Sequence, residues 1–209
     1  VSTANIATLV NGITYQDTNK DNPSAGNRVF TLTQIQDSGG VANGGQDTTA
    51  LAIGSTVNVV PVNDPPTLSA TAQNPTFQEA PGLGTQAAAV NVFSGATDST
   101  IETGQNIIGL TFTVSGLIDG ANESIGVDGS TITLGGASSG TTATNGMTYN
   151  VAIAAGTATV TLTKAAGVST ANIATLVNGI TYQDTNKDNP SAGNRVFTLT
   201  QIQDSGGVA

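Results

Sequence analysis

The chain has 209 residues, 37% hydrophobic and 4% aromatic with no Trp, so any core must be built from Val, Ile, Leu and Ala. Five basic residues against 14 acidic ones leave a net charge of −9, which excludes the basic surface that nucleic-acid binding requires. Cys and His are both absent, which removes disulfides, zinc sites, thiol nucleophiles and imidazole bases together.

Near the N-terminus, Ser2 stands before Ile6, Leu9, Val10 and Ile13, an apolar stripe at i, i+3, i+4 and i+7. A hydroxyl cap before such a stripe predicts a short helix ending near Asn11-Gly12. Ile13-Thr14-Tyr15-Gln16 then returns to strand, making the helix a crossover that plugs one end of a sandwich. Phe30 and Leu32 between Thr31 and Thr33, and later Val57 and Val59, show the period of two of half-buried strands. Asn63-Asp64-Pro65-Pro66 interrupts this pattern. Proline has no N–H donor and a fixed φ, so the segment leaves the sheet and stiffens into an interdomain linker. Beyond it, Leu110, Phe112 and Val114 alternate with polar residues, as do Met147, Tyr149, Val151 and Ile153, and Ala158, Val160 and Leu162. Gly39-Gly40, Asp128-Gly129, Gly135-Gly136 and Asn145-Gly146 supply the turns.

At residue 168 the beginning of the chain returns: residues 1–42 recur without a single change at 168–209. A repeat unit that long is a domain, not the roughly 20–50-residue coil of a solenoid. Residues 1–62 therefore read as the C-terminal portion of one repeat, 63–66 as the linker, and 67–209 as the next repeat lacking its final strand. Sheet edges left open by that division predict head-to-tail strand complementation, the first segment of one molecule completing the second segment of another.

The acids are grouped. Asp17, Asn19 and Asp21 stand at i, i+2 and i+4 in a loop closed by Pro23, and return as Asp184, Asn186 and Asp188 before Pro190. This is the opening spacing of a calcium loop. The Gly and the distant Glu of that motif are missing, and Lys20 (Lys187) sits inside it, so a calcium loop and a Pro-closed polar turn both stand as readings. Asp119 and Glu123 are close enough in sequence to consider acid–base work, but repeats copied without change do not read as catalytic units, and no enzyme is expected. Thr-x-Thr at 31–33, 111–113, 131–133 and 159–161 reads as outward strand residues rather than as an ice-matching array. Lys164, at a strand end, is the one lysine suited to an isopeptide cross-link with Asn.

Four segments, STANIATLVNGITYQDT, NRVFTLTQIQDSGG, VNVVPVNDPPT and FQEA, together resemble the cadherin-like repeats of giant Gram-negative adhesins. These are the type I-secreted, biofilm-associated proteins often called RTX adhesins. The likeness covers essentially the whole chain and is most specific at Asn63-Asp64-Pro65-Pro66; the family's calcium-roll motif G-G-x-G-x-D is absent. The resemblance implies an all-β fold, Ig-like or cadherin-like β-sandwich repeats with one short helix each. It implies Ca2+ at the domain junctions, with Asp37, Asn63, Asp64, Glu79 and Asp98 converging there and Glu102 and Glu123 as further donors. It also implies an extracellular place on a bacterial cell surface, neighbouring identical repeats as partners, and a spacer role projecting a distal binding domain. The alternative is a repeat that itself binds a ligand such as carbohydrate, a surface or ice. No stretch approaches the roughly 18 apolar residues of a membrane span, so no membrane insertion is expected.

Overall fold

In a computed structural model, which describes residues 1–207, the chain divides into two compact units, Val1–Val62 and Asn63–Ala209. In the first unit the Ser2 hydroxyl accepts the N–H of Asn5 (3.3 Å) and starts α1, Thr3–Asn11, which Gly12 ends by returning its N–H to Thr8 and Leu9. The helix lies where the Ser cap and the apolar stripe put it. Two long strands follow, β1 (Gly26–Gln36) and β2 (Thr48–Val59), paired antiparallel from Gly26↔Val59 to Gln36↔Thr48 with a bulge between Leu32 and Gln34. Ile13–Gln16, expected as strand, forms none in this unit. Not one residue of the unit is buried.

The second unit is a β-sandwich. Its strands are β3 (Thr67–Ala72), β4 (Val90–Asn91), β5 (Phe93–Ser99), β6 (Ile107–Ser115), β7 (Glu123–Val127), β8 (Ser130–Thr133), β9 (Ser138–Thr141), β10 (Thr148–Ala154) and β11 (Thr157–Val168). Helix α2 (Thr170–Asn178) and strands β12 (Thr181–Asp184) and β13 (Val196–Asp204) complete it. One sheet runs β13-β6-β11-β10-β9, a second β4-β12-β7-β8, and β3 pairs with β5. Every pairing is antiparallel. The alternation read from sequence is realised: Leu110, Phe112 and Val114 of β6 and Ala158, Val160 and Leu162 of β11 are buried, while the intervening threonines are not. Ile125 and Val127 of β7, Ile132 and Met147 fill the same core. Helix α2 lies against β5 and plugs the core with Ile173, Leu176 and Val177. Asp128-Gly129 joins β7 to β8 with both residues at positive φ (49° and 76°), the two-residue turn whose twist matches a hairpin.

Candidate cation site at the start of the second unit

Asn63 and Asp64 belong to the second unit and are tied to one end of it. The Asn63 side chain donates to the Gly207 carbonyl (3.0 Å) and to Asp204 Oδ1 (3.4 Å), and accepts from Gln105 Nε2 (2.7 Å). The Asp64 N–H donates to Glu102 Oε1 (2.7 Å). A Cβ on Gly206 would meet Asn63 Oδ1 at 1.8 Å, so this approach is open to glycine alone. Asp204 is the second-copy counterpart of Asp37. Both use one carboxylate oxygen to hold the N–H two residues on, Asp37 that of Gly39 (2.8 Å) and Asp204 that of Gly206 (3.0 Å).

Asp98 stands near the end of β5, and a tight turn follows it to Glu102. In that turn the Ile101 N–H donates to Ser99 Oγ (3.1 Å) and the Glu102 N–H to the Thr100 carbonyl (2.8 Å). Ile101 has φ of 66°, a left-handed conformation that a β-branched residue adopts at a cost. The turn leaves Glu102 8% exposed, and Asp204 is 2% exposed. Four side-chain oxygens of these segments are buried without a hydrogen-bond partner: Asp98 Oδ2, Glu102 Oε2, Gln105 Oε1 and Asp204 Oδ2. Burial pushes the Asp98 carboxyl up to about 6. The ion pairs among the described residues are Arg195's and lie elsewhere. No three acidic side chains among the described residues gather closely enough to form a metal centre from carboxylates alone.

The remaining expected donors lie apart from this group. Glu79 is exposed and borders a cleft with Tyr182, Asp184 and Arg195. Asp37 is exposed in the first unit. In the loop repeated at 17–23 and 184–190, the oxygens are turned inward on the loop itself. Asp17 accepts from Asn19 N–H (3.0 Å) and Asp184 from Asn186 N–H (2.8 Å). The amides of Asn19 and Asn186 each close the turn onto the residue three further along, Asn22 and Asn189. Asp188 accepts the N–H of Gly84 (2.5 Å), and Asp21 is exposed. These bonds give the loop the geometry of a polar turn. Asp184 Oδ2 is nevertheless buried without a partner.

A second polar cluster centres on Glu123, which is fully buried. Its Oε2 accepts the N–H groups of Ile118 (2.9 Å) and Asp119 (3.0 Å), and its Oε1 accepts the Tyr182 hydroxyl (3.0 Å) and Arg195 Nε. Arg195 also reaches Asp119 (3.7 Å), whose carboxylate takes the Ser191 N–H and hydroxyl. Those bonds hold Asp119 below the ordinary carboxylate range, while burial, then the neighbouring carboxylates, raises Asp184. Glu123, expected as a further calcium donor, forms a buried ion pair with Arg195 here. Its partners Tyr182 and Arg195 stand 59 and 72 residues away, and no local pattern links them. Lys164 donates to the main-chain carbonyl of Asn145 (2.5 Å), and the Asn145 carboxamide is held by Asp128 and Asn172.

No helix among the described residues is long and apolar enough to cross a membrane. No family model, no curated protein and no solved structure matches this chain.

Proposed function

We propose that the chain is a spacer segment of a tandem-repeat protein of the bacterial cell surface, whose β-sandwich units are braced at their junctions by calcium. The observation that carries this reading is the set of buried, unpartnered oxygens of Glu102, Gln105 and Asp204 around Asn63-Asp64. A buried carboxylate without a cation is costly, and oxygen-only donors suit a hard divalent ion. The carboxylates of Glu102 and Asp204 would hold it, with the side-chain oxygens of Asn63 and Gln105 completing the shell. Bound there, calcium would supply the positive charge that offsets the burial of these oxygens. The protein's own part is orientation: the Ile101 turn presents Glu102, and Gly206 lets the 205–207 segment close on Asn63.

Extracellular modules take calcium at affinities of about 10⁻⁴–10⁻³ M, so such a site fills outside the cell and empties in the cytosol. The likeness of Asn63-Asp64-Pro65-Pro66 to the linkers of adhesin repeats points the same way. Titration of the chelated protein with millimolar calcium is expected to raise Tm by several degrees, and Asp204→Asn to abolish most of that gain. An unchanged Tm, with no heat of binding, removes the proposal.

A further inference from the structure

We propose that β2 (Thr48–Val59) of one copy of this chain adds to the open edge of β13 in a second copy, in the register that β2 keeps with β1. β1 and β13 carry the same residues, Arg28-Val29-Phe30-Thr31-Leu32 and Arg195-Val196-Phe197-Thr198-Leu199. Each ladder shifts register at the same place, between Leu32 and Gln34 in one and between Leu199 and Gln201 in the other, with the extra residue on β2 in the first and on β13 in the second. β13 thus carries the sequence that pairs with β2 in the first unit. It is the marginal strand of its sheet, with β6 on one side and no strand on the other among the described residues.

The register sets the side chains. Leu32↔Ile53, Phe30↔Ser55, Val29↔Thr56 and Arg28↔Val57 in the first unit become Leu199↔Ile53, Phe197↔Ser55, Val196↔Thr56 and Arg195↔Val57. In the first unit Tyr15 and Phe30 share a hollow with Ser55 and Val57. In the second, Tyr182 and Phe197 border a cleft of about 740 Å³ together with Phe77 and Phe93. The strand that flanks the first pair is the one whose place is open beside the second. Apolar burial decides the direction of exchange. β1 and β2 form an isolated two-stranded sheet in which Val29 is 66% exposed and Ile53 59%, and such a hairpin is marginal in water. β13 offers instead the margin of a five-stranded sheet backed by a closed core.

The chain's own β2 cannot take the position. In this register Val59 stands at Gly193, while Asn63 of the same chain is tied to Asp204 and Gly207 at the far end of β13. Those ends are separated by about 36 Å of extended strand, and the four residues from Val59 to Asn63 span at most about 14 Å. A second copy has no such constraint. Its β2 leaves by Gly193, at the end of the unit that carries Asp119 and Asp184, so the contact is head-to-tail and extends to further copies.

The chain contains no Cys, so two variants report the register directly. Thr56→Cys in one preparation and Val196→Cys in another change exposed positions that the addition places opposite each other. Mixed and oxidised in chelator, they are expected to yield a disulfide-linked heterodimer, which excess peptide of residues 48–59 suppresses. Light scattering of the unaltered chain in chelator is expected to show mass rising from micromolar to near-millimolar concentration. A monomer throughout that range overturns the proposal. A Thr56→Cys/Val196→Cys chain that closes its disulfide internally overturns it as well, because the strand is then its own.

Discussion

The same 42 residues occur twice in this chain and reach two different structures. α1 buries none of its residues, whereas α2, identical in sequence and capped by Ser169 as α1 is by Ser2, buries Ile173, Leu176 and Val177. Ile13–Gln16 has no strand partner, but Thr181–Asp184 is held between β4 and β7. Arg28 donates only to the nearby carbonyls of Ser24 and Gly26, whereas Arg195 reaches across the unit to Glu123 and Asp119. Tyr15 bonds Asp17 two residues away and stacks edge-on to Phe30. Tyr182 bonds Glu123 and lies between Phe77 and Phe197. Features made within a few residues, the helix cap and the Asx turn, are reproduced in both copies. Features that need a partner from elsewhere form only where residues 67–167 supply one.

The largest effect expected from this contrast is at the arginines. Arg195→Ala leaves Glu123 charged and enclosed, and is expected to cost about 3–5 kcal/mol in urea unfolding. Arg28→Ala, with no carboxylate to abandon, should fall within about 0.5 kcal/mol. Equal losses would mean the two copies share one environment. Ile173→Ala removes a fully buried side chain and should cost about 2–5 kcal/mol, while Ile6→Ala at the same place in α1 leaves the main transition nearly unmoved. Hydrogen exchange should display the contrast in one spectrum. Peptides cut from within the duplicated sequence have the same mass from either copy, so each is expected to show two isotope envelopes, one fast and one protected. A single envelope contradicts the difference.

The smallest effect is one of pH, and it belongs to the second unit. Asp98 titrates near 6 in the fold, above its ordinary value, so the folded state binds the extra proton. Stability in chelator therefore rises as pH falls from 7 through 6 towards 4, and levels off below the unfolded value. Asp98→Asn should reduce this dependence, leaving the part that the raised Asp184 contributes. A Tm independent of pH in chelator would show that Asp98 is not the group in question.

Much of the fold was legible in the residues because its causes are local. Ser2 and Ser169 cap helices, the Leu110-Phe112-Val114 alternation marks a strand with one buried face, and Asp128-Gly129 marks a hairpin. The candidate site was legible in part. Asn63, Asp64, Asp98 and Glu102 stood out as acids and amides near a proline break, and Asp204 was present only through its copy, Asp37. Gln105 and Gly206 gave no signal, since an amide and a glycine acquire a role only when Asn63 packs between them. Glu79 was grouped with the others by likeness, yet the chain between Ala72 and Val90 carries it to the cleft beside Arg195. The cage around Glu123 gave no signal, because Tyr182 and Arg195 reach it from 59 and 72 residues away.

Ile101 gives the second unit a loaded spring. Holding a branched side chain at φ of 66° costs on the order of 1–3 kcal/mol, and the turn that sustains it is the one that aims Glu102. Glycine in its place would let the loop relax into a more stable but less directed shape. The chain thus keeps a reserve of stability unclaimed at a single residue, and evolution or an engineer could draw on it by loosening Glu102's aim.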